Sequence, residues 1–178
     1  LECPEYRAAG VALPGTPIVA LGTNGTIAWG ATMVMADNQD IFLEQMREQD
    51  GKKQYLYKGK WLDAKIEEQK IKIKGGAEHT FKRITTRHGV LVNEALLYTF
   101  PDKYLSINFK SEYGLAFSTT VGSKETTLQG IFDMASARTM KQARTALDKV
   151  TGIYLNIVYA DAKNIAHVAT GKYPVRKG

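Results

Sequence analysis

Cysteine is almost absent from this chain: there is one, Cys3, in 178 residues, and the three histidines, His79, His88 and His167, stand far apart. A single thiol excludes an internal disulfide. With no CxxC and no HxxxH, the closely spaced ligand pairs of a zinc site are missing as well. No apolar run approaches the roughly 18 to 20 residues that a membrane-spanning helix needs, so no membrane partner is expected. A glycine-rich phosphate loop, internal repeats, low-complexity stretches and linkers are also lacking, and no nucleotide or redox cofactor is implied. What remains is ordinary globular composition, 44% hydrophobic and 24% charged. A chain of this length reads as a single domain, residues 1–178, able to bury roughly 70% of its unfolded surface.

The formal net charge is +6. Much of it comes from residues 52–74, where lysines are interleaved with acids and alternate with apolar residues, as on the wet face of a hairpin. That pattern predicts a solvated surface and no nucleic-acid partner. The alternative reading is a non-catalytic, β-rich binding module with a basic face, which would bind polyanions with a steep salt dependence.

Punctuation is densest in residues 13–40. Pro14-Gly15 and Asn24-Gly25 each favour a tight reversal, and the Asn-Gly pair suits a two-residue hairpin loop in which both central residues need φ > 0. Strands are predicted at 17–21 and 26–29, then at 41–46, and on either side of Lys58-Gly59 within 53–61. Residues 65–74 and 78–85 read as a hairpin turned by Gly75-Gly76 with one covered face, and further strands are predicted at 90–92, 104–109, 115–120, 154–160 and 165–169. Helix is concentrated in 126–150. Thr126 with Gln129, and Thr139 with Gln142, have the spacing of capping boxes, so two helices are expected. The first would bury Leu128, Ile131, Phe132 and Ala135, the second Met140, Ala143, Leu147 and Val150, with Gly152 as the C-terminal cap.

The run PGxPxxxxGxNGxIAWGxT (residues 14–32) is followed by DxxD (Asp37 to Asp40), then TRHG (residues 86–89), NIVYAD (residues 156–161) and GKYPVR (residues 171–176). In this order the blocks resemble the penicillin acylase family of N-terminal-nucleophile amidohydrolases, which includes penicillin G acylases and acyl-homoserine lactone acylases. The resemblance implies an α+β fold, part of an Ntn-hydrolase αββα sandwich, antiparallel and β-rich with two short helices. It also implies a periplasmic or secreted enzyme matured by self-cleavage. The family's nucleophile is the first residue of the released chain, usually Ser before Asn, and no segment here matches it. The expectation is therefore an interior piece of the catalytic β subunit. Its partners would be the α subunit, the rest of the β subunit and a small N-acyl amide substrate, and alone it would be inactive. Two departures, Thr23 where the family often has His and Ala162-Lys163-Asn164 where it has a Gly-containing turn, touch no catalytic group but leave the acyl group open.

Asn156 stands among Leu155, Ile157 and Val158. An unpaired buried amide costs about 1 to 3 kcal/mol, so this one should have a partner, which in most proteins is neighbouring backbone. The resemblance makes it an oxyanion donor instead, with the backbone N–H of Met33, four residues before Asp37, as the second; Met33 as core filler is the plain alternative. By the same match Leu21 and Ala31 line the acyl pocket, although both could be core, and Arg176 steadies the oxyanion asparagine unless it is a surface arginine. Asp37, the backbone oxygen of Gln39, Asp40 and Asp161 correspond to ligands of a structural calcium. Ca²⁺ takes 6 to 8 oxygens, so this set is incomplete, and turn-forming aspartates are the alternative. Arg87 and His88 read as structural, since nothing in sequence makes His88 part of a triad.

Overall fold

The computed structural model describes residues 2–3, 6–16, 18–99, 112–122 and 125–176. Strands β1 (Glu2–Cys3), β2 (Tyr6–Arg7), β3 (Ala9–Ala12), β4 (Val19–Thr23) and β5 (Ala28–Met33) come first. Strands β6 (Gln39–Gln49), β7 (Lys52–Tyr57), β8 (Lys60–Asp63), β9 (Lys65–Ile71), β10 (His79–Thr85) and β11 (Val90–Leu91) follow, then helix α1 (Asn93–Thr99) and β12 (Tyr113–Thr119). Helices α2 (Thr127–Ser136) and α3 (Met140–Leu147) precede β13 (Leu155–Ala160) and β14 (Ile165–Ala169). Every strand pairing among the described residues is antiparallel, in an α+β arrangement rich in strand. The expected strand at 104–109 lies outside the described residues. Helix α1 was not foreseen. The chain forms two compact units, Leu1–Asn38 with Thr120–Gly178, and Gln39–Thr119.

In the first unit the sheet order is β14-β13-β5-β4-β3, with β1 and β2 paired separately. Alternation along β13 sends Ile157 and Tyr159 into the core, where they join Val19, Ile27, Trp29 and Val168 against Met134, Ala135, Ala143, Ala146 and Leu147 of the two helices. Helix α2 buries Thr127, Gly130, Met134 and Ala135, whereas Leu128 is 65% and Phe132 39% exposed, so the expected apolar stripe is turned. The close face is set by Gly130, where a Cβ would lie 2.8 Å from the Ala146 carbonyl oxygen. Only the second capping box forms in part: the Thr139 hydroxyl accepts from Gln142 N–H at 3.2 Å, while the Gln142 carbonyl accepts from Arg138 N–H rather than from Thr139. Thr126 makes no side-chain cap and donates instead to the Lys149 carbonyl at 2.7 Å. Gly152 is not a cap either. The C-cap of α3 is Asp148, and Gly152 donates its N–H to Thr127 Oγ1 at 2.7 Å at a point where a Cβ would meet the Glu125 carboxylate.

The Asn-Gly turn is real but shifted by one residue. Asn24 N–H donates to Ile27 O, so the two central residues are Gly25, with φ +84°, and Thr26. Glycine at the first central position is the II′ pattern. Asn24 is freed to use its buried amide: Oδ1 accepts from Thr26 and Ile27 N–H, and Nδ2 donates to Ala135 O and Ala137 O at the end of α2.

The second unit is a seven-stranded sheet, β8-β7-β6-β12-β11-β10-β9. Lys58 (φ +48°) and Gly59 (φ +76°) make the β7–β8 turn as expected. The β9–β10 hairpin also forms, at the edge of the sheet, but residues 79–83 are exposed on both faces, with Ile66 45% and Phe81 37% exposed, so the expected covered face is missing along this part of it. Around the TRHG turn, Glu44 Oε1 accepts from the Thr86 hydroxyl at 2.7 Å and lies 2.8 Å from His88 Nδ1, and Phe42 stacks on the His88 ring. Gly89 (φ +153°) passes so close to Phe117 that a Cβ would strike its carbonyl. The turn is built as structure.

Candidate active site

Asn156 does not share the face of Leu155 and Ile157, though Val158, two residues on, lies on its side of the strand. Asn156 lies opposite Thr32 of β5 and Ala169 of β14, on the face of β13 turned away from Ile157 and Tyr159, and it is only half-buried. The amide does have the partners expected of it: Nδ2 lies 3.4 Å from Met33 O, a long contact, and Oδ1 lies 3.1 Å from His167 Nε2.

Met33 is the last residue of β5, and its side chain is 63% exposed, which is unlike core filler. Val34 N–H donates to Tyr154 O across the β5–β13 ladder, so by the alternation of antiparallel pairs Met33 directs its N–H away from β13. On that side the described β4–β5 pairs end at Gly22↔Trp29.

Leu21 is half-buried opposite Val11. Ala31 is half-buried opposite Ile157 and packs against the helix-covered core, so it is not on the face of Asn156. Arg176 meets Asp37: Nη1 donates to Asp37 Oδ2 at 2.6 Å and lies 3.4 Å from Asp37 O. Asp161 uses Oδ1 to accept from the N–H groups of Lys163 and Asn164 at 2.8 and 2.7 Å, and these bonds, Lys163 first, hold its carboxyl below the usual aspartate range. Gln39 and Asp40 open β6 in the second unit. Among the described residues no group of three or more His, Cys, Asp or Glu side chains gathers as a cation site, and one Asp37 oxygen is taken by the guanidinium. As they stand, these residues do not fit a calcium ion.

A family model for penicillin amidase matches residues 1–178. The chain belongs to the penicillin amidase family. It is 41% identical over 183 residues to acyl-homoserine lactone acylase QuiP of Pseudomonas aeruginosa, covering 99% of this chain and 21% of that protein. With penicillin G acylase of Escherichia coli it shares 33% identity over 164 residues, covering 90% of this chain and 18% of that protein. A thermostable penicillin G acylase from Alcaligenes faecalis matches its fold with a TM-score of 0.76 at 24% identity, covering 96% of this chain and 29% of that one. The chain therefore spans about a fifth of the length of the curated relatives it matches.

Two contacts are not legible in the sequence, that of His167 with Asn156 and that of Arg176 with Asp37. His167 carried a visible signal, a polar residue two positions before Ala169 in a short alternating strand, but its meeting with Asn156 depends on the β13–β14 register. The Arg176–Asp37 pair joins residues that the motifs had assigned to separate roles, and spacing alone holds no sign of it.

Proposed function

We propose that this chain is the oxyanion-hole segment of an amidohydrolase that cleaves N-acyl amides through an acyl-enzyme. The observation that carries the reading is the Asn156 amide, held on the open face of β13 beside the Met33 peptide with a second Nδ2 hydrogen to offer. A nucleophile supplied by another segment of the precursor attacks the substrate carbonyl. The oxygen that takes up the electron pair is met by Asn156 Nδ2–H and Met33 N–H, the C–N bond breaks, the amine leaves with a proton, and water then hydrolyses the acyl-enzyme. Each such donor lowers the barrier by about 3 to 4 kcal/mol, because it is already aimed where charge develops.

Leu21, half-buried rather than sealed, serves as part of the acyl pocket wall, whereas Ala31, turned to the helix-covered core, supports the sheet from its other side. Arg176 fixes the segment after β5 through Asp37 and so acts on the site from a distance. The 41% identity to an acyl-homoserine lactone acylase, against 33% to a penicillin G acylase, favours acyl-homoserine lactones over penicillins as substrate. A structural calcium at Asp37, Gln39 and Asp40, with Asp161 contributing, would require Arg176 to release Asp37 and further ligands from elsewhere, so calorimetry should detect weak or no calcium binding by this chain alone. The enzyme would work in the periplasm or outside the cell, which fractionation tests. The deciding assay compares the full-length protein, expected to release homoserine lactone from its N-acyl form, with these 178 residues alone, expected to release none. Turnover by the purified segment, free of host acylases, would overturn the assignment of the nucleophile to another segment.

A further inference from the structure

The Asn156 amide has two ends that must point the right way, and the residues around it determine which is which. Met33 O can only accept, so the end facing it is Nδ2 and the other end is the oxygen. That oxygen lies 3.1 Å from His167 Nε2, which must then be a donor. A neutral imidazole protonated only at Nδ1 would set two acceptors against each other there. His167 lies opposite Val158, two pairs along from the Asn156↔Ala169 pair and therefore on the same face, so it reaches Asn156 as the diagonal neighbour across the β13–β14 ladder.

We propose that His167 is the positioning residue of the oxyanion amide: its Nε2–H holds Asn156 Oδ1, keeping Nδ2–H aimed at the substrate oxygen. This rests on the oxyanion reading of Asn156. Without the imidazole, rotation of the amide by half a turn becomes cheap, because the contact to Met33 O is long. The flipped amide presents a carbonyl oxygen to the oxyanion, which repels the charge it should stabilise. His167 touches no reacting atom, so its effect passes through the orientation of Asn156.

The test uses the mature, full-length enzyme, with rates taken per molecule that has exposed its nucleophile. His167→Phe removes the donor from an exposed strand position, and His167→Gln keeps an N–H in its place. His167→Phe is expected to lower kcat by roughly tenfold to a hundredfold, the scale on which misplacing a group at the reacting centre is felt, with KM within about twofold of wild type. His167→Gln should recover most of the loss. Wild-type kcat in His167→Phe, while Asn156→Ala is inactive, overturns the positioning role and leaves the oxyanion role standing. Full activity in Asn156→Ala removes the oxyanion role and this inference with it. A larger loss in His167→Gln than in His167→Phe would mean that the ring packs rather than donates, and would overturn the proposal. Independently of any variant, 15N shifts of histidine-labelled enzyme should show the His167 proton on Nε2, and a neutral ring bearing it only on Nδ1 overturns the proposal.

Discussion

Asn156 and Glu44 are both polar side chains that follow a leucine in a strand, yet their environments differ. Glu44 is 3% exposed and gathers Thr86 and His88 on one carboxylate oxygen. Asn156 is half-exposed, its contact to Met33 O is stretched, and one amide hydrogen is left to act. Along a strand the side-chain period is two, so apolar neighbours at i−1 and i+1 describe the opposite face and tell nothing about the residue between them. What separates a polar group that holds the fold from one kept for chemistry is how completely its hydrogen bonds are used.

Asn156→Ala in the full-length enzyme gives the largest contrast. On the proposed oxyanion role it should lower kcat at least a hundredfold, leave KM nearly unchanged and barely move the unfolding midpoint, since such a donor acts in the transition state and this amide is poorly buried. A matured Asn156→Ala enzyme with most of its kcat would make the two residues alike. Glu44→Ala should do the reverse, costing about 2 to 3 kcal/mol in urea unfolding because two donors lose their acceptor, with the activity per folded molecule kept. Glu44→Gln, which keeps one acceptor oxygen, should cost about 1 kcal/mol. Loss of activity without loss of stability at Glu44 would break the division between the two sites.

A smaller effect comes from the surface. Lys149 and then Gln129 bond the Asp133 carboxylate and hold it below its ordinary value of 3.8. A group whose folded pKa is depressed stabilises the fold fully above the unfolded pKa, and that contribution is lost as pH falls through the folded one. Between wild type and Asp133→Asn, the stability difference should therefore be constant at neutral pH, at most about 1 kcal/mol for a half-exposed bridge, and shrink below pH about 4. A difference that grows on acidification would reverse the sign assigned to the bridge.

Strand positions and turns were legible because alternation and Gly or Asn chemistry are local. Lys58-Gly59 and the 65–85 hairpin fell where the residues put them. The Asn24 turn slipped by one residue because its side chain bonds the end of α2, some 110 residues on, which no local pattern records. Gly152 was misread for the same reason: a glycine needed for close approach to Glu125 looks in sequence like a helix cap. For the site, the family motifs marked Asn156 and Met33, and the ladder brought the two together. The positions of His167 and of Arg176 against Asp37 required the register of strands and the path of the tail.

The chain leaves the first unit at Asn38 and re-enters it at Thr120, whose N–H donates to Asn38 O at 3.2 Å, while at the threshold of the second unit Gln39 pairs with Thr119. This closure bears on the order of folding. Strands β5 and β13 are neighbours in one sheet but lie more than a hundred residues apart in sequence, and pairing them in a free chain means closing that whole loop. If residues 39–119 fold first, the β6–β12 pairing acts as a zipper that draws Asn38 and Thr120 together and removes most of the intervening length from the search. Pulse-labelled hydrogen exchange should then find the amides of β6 and β12 protected before those of β5 and β13, so that the strands carrying Met33 and Asn156 are among the last parts of the chain to form.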